Sequence, residues 1–310
     1  MKYATITLNP AIDRTIEVDD LRLGEVVRGR LLFLEPAGKG VNAAHTLSAL
    51  GCAVAATGFV GRNDAQMFKR GFAGTRVTCD FVKVDGITRE SLTILDRARD
   101  QETHLTEQGF EVTRRNAKSL IAKTAALATP ETWVGACGRP APGFTVDDYA
   151  ALLAAAKAGG ARLLADTSGD FLPVAVEHEP DIVKPNDEEL AELVGKPLRT
   201  QAAVLKAARE LANRVRYVVV SLGGKGALCV TRRGVWHARE RGRVPVVHTV
   251  GCGDTLAMGF MAGISQSPSP ARALKLAVAA GGACARSPRA SLRARNEVDC
   301  VLPGVDVKKL

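Results

Sequence analysis

The stretch His248-Thr249-Val250-Gly251-Cys252-Gly253-Asp254-Thr255 leads into an apolar-periodic run through Leu256, Phe260 and Ile264. Val244–Val247, just before it, reads as a strand, so Gly251 and Gly253 fall where a strand gives way to a helix N-terminus. Such an end offers an anion unpaired backbone N–H groups and the positive end of the helix dipole. Glycine lets that anion approach the backbone closely. Asp254 sits in the first helical turn, beside the anion. A carboxylate there is placed to act as a base next to a bound phosphate, which is the arrangement ATP-dependent phosphoryl transfer requires. The same aspartate could simply cap its helix, and this window alone does not choose between the two.

Three further stretches carry chemistry. In Pro36-Ala37-Gly38-Lys39-Gly40-Val41-Asn42, glycines flank a lysine immediately before a helix, again a geometry for an anion. A dinucleotide-type GxGxxA spacing exists at Gly38, Gly40 and Ala43, but it does not open the first βαβ unit. In Lys184-Pro185-Asn186-Asp187-Glu188-Glu189, a strand ends and a helix begins with acids. Those residues read as a cap, or as Asn186 and Glu189 near a phosphate-bound Mg²⁺ through waters. In Ser221-Leu222-Gly223-Gly224-Lys225-Gly226, a buried strand turns tightly, either as a plain hairpin or as a bed for a nucleotide. The GxxxxGK[ST] phosphate loop is absent.

These stretches need elements to hold them. Strand-like runs (Tyr3–Leu8, Ala53–Val60, Trp133–Cys137, Arg162–Asp166, Asp181–Lys184, Tyr217–Leu222) alternate with helix-like runs (Val41–Leu50, Val146–Ala158, Ala202–Asn213, Thr255–Ile264, Ala271–Ala285). That alternation predicts an α/β fold with a mostly parallel central sheet and helices on both faces, its ligands at the carboxyl ends of the strands. Arg14–Leu34 and Val82–Leu105 break the pattern with short mixed strands, which pair into a small accessory sheet or remain surface hairpins.

Composition limits the alternatives. The 310 residues, 46% hydrophobic, suffice for a substantial core, and no apolar stretch is long enough to span a bilayer. The N-terminal segment reads as a strand and not as a signal peptide. Seven cysteines without a CxxC pair, and five histidines without ligand spacing, argue against a disulfide framework or a zinc site. They fit a cytoplasmic protein. The net charge of +9 admits nucleic acid as a partner, but only 5% of residues are aromatic and no basic run is interleaved with stacking residues. The basic C-terminal group Arg286, Arg289, Arg293 and Arg295 reads as ordinary surface.

In series, these motifs resemble the ribokinase/PfkB family of sugar kinases, in particular its 1-phosphofructokinase and tagatose-6-phosphate kinase branch. The matching segments are Thr5–Asp13, Ala37–Asn42, Thr88-Arg89, Val183–Asn186, Val220–Gly223 and Thr249–Asp254, in family order over nearly the whole chain. The resemblance implies one three-layer kinase domain over residues 1–310, with a β-sheet lid from about 12–36 and 82–108. It implies Asp254 as the base toward the sugar hydroxyl and Gly251, Cys252 and Gly253 as the backbone anion hole. Asp13 and Asn42 would hold sugar hydroxyls, while Gly38, Lys39 and Arg89 would meet the substrate's own phosphate. Lys184, Asn186, Ser221, Gly223, Gly226 and Thr249 would belong to the ATP side, with Mg²⁺ near Asn186 and Glu189. Lid contacts between subunits occur in the family, so a homodimer through the lid is an expectation; neither a nucleic acid nor a membrane is expected as a partner.

Two departures stand out. Cys252 replaces the family's usual alanine, which leaves the backbone N–H in place and sets a thiol beside the chemistry. Cys137–Gly143 replaces a small hydroxyl-bearing turn, so that Arg139 stands near the expected sugar-phosphate end. The reading is therefore an ATP- and Mg²⁺-dependent kinase of a phosphorylated ketohexose, with fructose 1-phosphate, giving fructose 1,6-bisphosphate, ahead of tagatose 6-phosphate and fructose 6-phosphate. A catalytically silent sugar-phosphate sensor and a basic nucleic-acid-binding protein are the alternatives of another class.

Overall fold

Buried strands such as Tyr217–Ser221, whose three consecutive valines are wholly inaccessible, need cover on both faces. A computed structural model describes residues 2–242 and 246–310 and shows how they obtain it. The large sheet runs in the order Val305–Lys309, Gly234–Glu240, Ala227–Thr231, Tyr217–Ser221, Ile182–Val183, Arg162–Asp166, Thr132–Cys137, Lys2–Thr7, Val54–Gly61, Val77–Cys79. Pairing is parallel from Tyr217–Ser221 to Val77–Cys79 and antiparallel across the other three strands. Helices Lys39–Ala49, Cys252–Gln266 and Pro270–Arg286 cover one face. Helices Arg114–Leu127, Val146–Ala158 and Gln201–Leu211 cover the other. Val219 faces the first layer, and Val218 and Val220 face the second, as strand alternation requires. This is the predicted three-layer α/β arrangement.

The irregular segments form a separate four-stranded sheet in the order Gly29–Ala37, Ala11–Val18, Arg89–Asp96, Gln101–Thr106. Asp13 pairs with Glu35 on one side and Ser91 on the other, so these three share a face. Arg14, Leu34, Leu92 and Leu105 are in register on the opposite face. The segment expected to open the second half of this sheet behaves differently. Val82–Val84 pairs in parallel with Val54–Gly61 of the large sheet, because Val82 and Val84 alternate inward against its core while Lys83 points out. The lid strand proper begins at Arg89.

The strand expected at Val244–Val247 is not formed in its described half. Val244 and Pro245 lie outside the described residues, and Val246 and Val247 are exposed and outside any strand. The C-terminal arginines are engaged within the chain. Arg286 pairs with Glu240, Arg289 and Arg293 with Glu35, and Arg295 with Asp299. No helix among the described residues is long and apolar enough to cross a membrane.

Candidate active site

The parallel strands end, at their carboxyl side, under the small sheet, and a cavity of about 690 Å³ opens there. It is lined from the sugar-side motifs by Asp13, Gly38, Lys39, Asn42 and Arg89. Lys184, Asn186, Glu189, Ser221, Gly223, Gly226 and Thr249 line it from the strand-end turns, and Gly251, Cys252, Gly253 and Asp254 from the glycine loop. Of the residues singled out in the sequence, only Arg139 is not brought in. It is exposed, and its guanidinium lies against the backbone of Gly169, where a Cβ would sit 3.3 Å from its Nη2.

The glycine loop owes its shape to Gly251. This residue adopts φ 77°, and a Cβ on it would lie 1.8 Å from the carbonyl oxygen of Ala290, so only glycine fits. Gly251 is also the N-cap of helix Cys252–Gln266 and makes no side-chain cap. The Cys252 N–H turns back to the Thr249 carbonyl at a long 3.3 Å. Gly253 and Asp254 follow in the first turn, where helix geometry leaves N–H donors for an outside acceptor. At Gly253 a Cβ would stand 3.6 Å from Lys184 Nζ, so this ammonium lies directly over the loop. An anion held there meets backbone dipoles and a fixed positive charge together.

Asp254 is not the cap of its own helix. Its carboxylate turns across to helix Lys39–Ala49, accepting from Asn42 Nδ2 at 3.2 Å and lying 3.7 Å from Lys39 Nζ. Burial raises its pKa to about 6, with the Lys39 ammonium opposing and the Asp166 carboxylate reinforcing the rise. Asp13 is likewise raised to about 6, by burial first and then by Glu35, against the pull of Arg89. A carboxylate with its pKa near 6 is ionised at neutral pH and still basic enough to accept a proton.

Sequence reasoning did not single out Asp166. It is 1% exposed at the carboxyl end of strand Arg162–Asp166, with Oδ1 3.4 Å from Lys39 Nζ and 3.3 Å from Lys184 Nζ. Burial pushes its pKa up, but the two ammonium groups outweigh this and hold the carboxyl below the usual range. Lys39 in turn is raised, by Asp166 foremost. The one signal for Asp166 in the sequence is its position at the end of a parallel strand. Asn9 was also missed; its Oδ1 accepts from Arg89 Nε at 3.2 Å and steadies the guanidinium at the cavity wall.

On the opposite wall, Asn186 and Glu189 form a reciprocal capping box. Glu189 N donates to Asn186 Oδ1 at 2.6 Å and Asn186 N donates to Glu189 Oε2 at 2.9 Å. The capping alternative thus describes the Asn186 side chain, while Glu189 keeps its second carboxylate oxygen. Beside them, Leu222 N donates to the Gly226 carbonyl at 2.8 Å, closing the turn that carries Gly223.

The profile described as pfkB family carbohydrate kinase matches residues 6–295. A 1-phosphofructokinase of Rhodobacter capsulatus is 36% identical over 281 residues, spanning 90% of this chain and 89% of that protein. A 1-phosphofructokinase of Vibrio cholerae is 31% identical over 310 residues, spanning 100% and 97% respectively. Among solved structures, phosphofructokinase-2 from Escherichia coli in complex with substrates and products matches with a TM-score of 0.92 at 25% identity, covering 98% of this chain and 99% of that one. The chain belongs to the pfkB family of carbohydrate kinases.

Proposed function

We propose that this kinase transfers the γ-phosphoryl group of ATP to a hydroxyl of a phosphorylated ketohexose, fructose 1-phosphate above all, giving fructose 1,6-bisphosphate. The observation that carries the reading is the convergence, in one cavity, of a buried carboxylate at the mouth of a glycine loop with two cations, Lys39 and Arg89, on the lid side. The 1-phosphofructokinases that match almost the full chain point to the same substrate.

In this reading Asp254 accepts the proton of the attacking hydroxyl, while Asn42 and Lys39 hold its carboxylate in place. The N–H groups of Gly253 and Asp254, with Lys184 above them, take up charge on the transferring group. Asp13 and Asn42 orient sugar hydroxyls, and Arg89 grips the phosphate already present. Lys39 stands between Asp254 and Asp166, so it serves the catalytic end as well as the substrate's phosphate. Ser221, Gly223, Gly226 and Thr249 form the bed for the nucleotide.

The residues present also fit Mg²⁺. Asp187, Glu188 and Glu189 bring carboxylates to the cavity, the hard oxygen donors that Mg²⁺ takes. A cation on nucleotide phosphates keeps several waters and needs few protein ligands. When bound, Mg²⁺ would neutralise charge on the phosphates, with Glu189 holding it through water.

The outer face of the small sheet supports a homodimer. Leu31, Leu34 and Leu105 are exposed there, opposite the face that bears Asp13. A cytoplasmic setting, where ATP is supplied, belongs to the same proposal.

The test is ADP release against a panel of fructose 1-phosphate, fructose 6-phosphate, tagatose 6-phosphate and fructose. Fructose 1-phosphate should show the highest kcat/KM. Equal turnover of fructose and fructose 1-phosphate would remove the phosphate-binding role of Arg89 and Lys39.

A further inference from the structure

Two thiols meet behind the glycine loop. Cys252 is the first residue of helix Cys252–Gln266 and lines the cavity. Cys284 lies near the end of helix Pro270–Arg286 and is fully buried. The two helices are packed against each other at this point. At Gly281, one turn before Cys284, a Cβ would stand 3.4 Å from the Cys252 carbonyl oxygen. Both sulfurs are tethered to the same short loop. Cys252 Sγ lies 3.8 Å from the His248 carbonyl, and Cys284 Sγ lies 3.7 Å from the Val250 carbonyl. Each thiol shifts the titration of the other, as close neighbours do.

We propose that Cys252 and Cys284 are a redox pair, joined reversibly when the enzyme meets a hydroperoxide, and that the bond shuts off phosphoryl transfer by displacing the glycine loop. The chemistry needs one accessible nucleophilic thiol and one resolving thiol, and the pair divides those roles. Cys252 is partly exposed to the cavity, and the neighbouring Cys284 holds its thiol below the usual value. Cys284 is buried and held in the protonated form, its thiol pushed up by Cys252 and by burial.

The steps balance. The Cys252 thiolate attacks the distal oxygen of the hydroperoxide; the O–O bond breaks, the leaving oxygen takes up the proton that Cys252 had released and departs as alcohol or water, and Cys252 becomes a sulfenic acid. The Cys284 sulfur then attacks the Cys252 sulfur. The S–S bond forms, the S–O bond breaks, and hydroxide leaves with the Cys284 proton as water. One hydroperoxide thus takes two electrons from two thiols, and a dithiol returns them.

The consequence follows from distance. A disulfide brings its sulfurs to about 2.05 Å, well inside the van der Waals contact of two separate thiols. The N-terminal turn that carries Cys252, Gly253 and Asp254 must therefore move toward helix Pro270–Arg286. A displacement of about 1 Å at a reacting centre can cost on the order of a hundredfold in rate.

The experiment treats the reduced full-length protein with hydrogen peroxide, blocks the remaining thiols, and maps peptides by mass alongside ADP release. The expected result is a linked peptide containing Cys252 and Cys284, with turnover down at least about tenfold and restored by dithiothreitol. Cys284→Ala should keep basal turnover and form no link, and it should hold Cys252 as a sulfenic acid that dimedone traps. Cys284→Ser serves the same purpose if the alanine variant does not fold. Separate blocking of Cys252 and Cys284 after peroxide would overturn the proposal, as would a linked enzyme with unchanged turnover. The peptide map does not depend on the sugar, so a wrong substrate would appear instead as an inactive reduced enzyme.

Discussion

Replacing Asp254 with asparagine should abolish turnover and stabilise the fold in the same step. Asp254 is buried, and its pKa is raised from the ordinary 3.8 to about 6. In the unfolded chain the carboxyl gives up its proton near its ordinary value, but in the folded protein only near 6. Stability is therefore lost as pH rises from about 4 to about 6 and stays lost above that. At 1.36 kcal/mol per pH unit the folded enzyme forgoes about 3 kcal/mol at neutral pH to keep this carboxylate ionised. Asparagine has nearly the same shape, still accepts from Asn42, and carries no charge. For a chain of 310 residues, a gain of that size corresponds to a rise in Tm of about 5 °C. Loss of the base should lower kcat by roughly 10²–10⁴-fold, with ATP affinity nearly unchanged. Thermal melts of both proteins at pH 7.5 and pH 4.5, with ADP-release assays at pH 7.5, test both halves. The stability advantage should shrink at the lower pH. Near-normal turnover in the variant would show that Asp254 is not the base. A variant less stable than the parent at pH 7.5 would show that burial does not hold its charge at a cost.

Asp13 and Asp254 are both raised to about 6, so kcat/KM should fall below that pH with a limiting slope of about two, one proton for each carboxylate; a slope of one in a full pH–rate profile would remove Asp13 from substrate binding. Gly251→Ala places a methyl group 1.8 Å from the Ala290 carbonyl at φ 77°, and should lower stability in urea by at least about 2 kcal/mol while reducing turnover more than tenfold. An alanine variant with the parent's urea midpoint would show that the loop does not need this backbone shape. Arg89→Met should raise KM for fructose 1-phosphate by about 10- to 100-fold through loss of a charge-assisted phosphate contact and leave KM for ATP alone, as initial-rate measurements would show.

The parts of this molecule that were legible in its sequence are those where one stretch carries its own physical reason. The helix-like run Val146–Ala158 is formed over the expected residues, with Thr145 as its cap. Three successive valines announce a doubly covered strand, and Tyr217–Ser221 is one. Less legible were the features that depend on a distant partner. Val82–Val84 has the period of any short strand, and only the core beside Val54–Gly61 decides which sheet receives it. The orientation of Asp254 was equally open from the sequence, because Asn42 and Lys39, which turn it away from its helix end, lie some two hundred residues earlier. Arg139 is the opposite case. A charge near a motif reads as a ligand contact, whereas here the side chain extends over Gly169 instead.

Asp166 explains why two ammonium groups can stand close together in this cavity. Lys39 and Lys184 both approach one oxygen of its carboxylate, at 3.4 and 3.3 Å. Without that buried negative charge the two cations would repel each other across a medium of low dielectric, and a mobile pair would not hold a phosphoryl group in one geometry. With it, the three groups carry one net positive charge, spread between the base on one side and the glycine loop on the other. Lys39 reaches Asp254, and Lys184 lies over Gly253. In the proposed mechanism the proton acceptor and the anion site are therefore set by the same buried carboxylate. A change at Asp166 should disturb the pKa of Asp254 and the binding of phosphate together, even though Asp166 does not line the cavity.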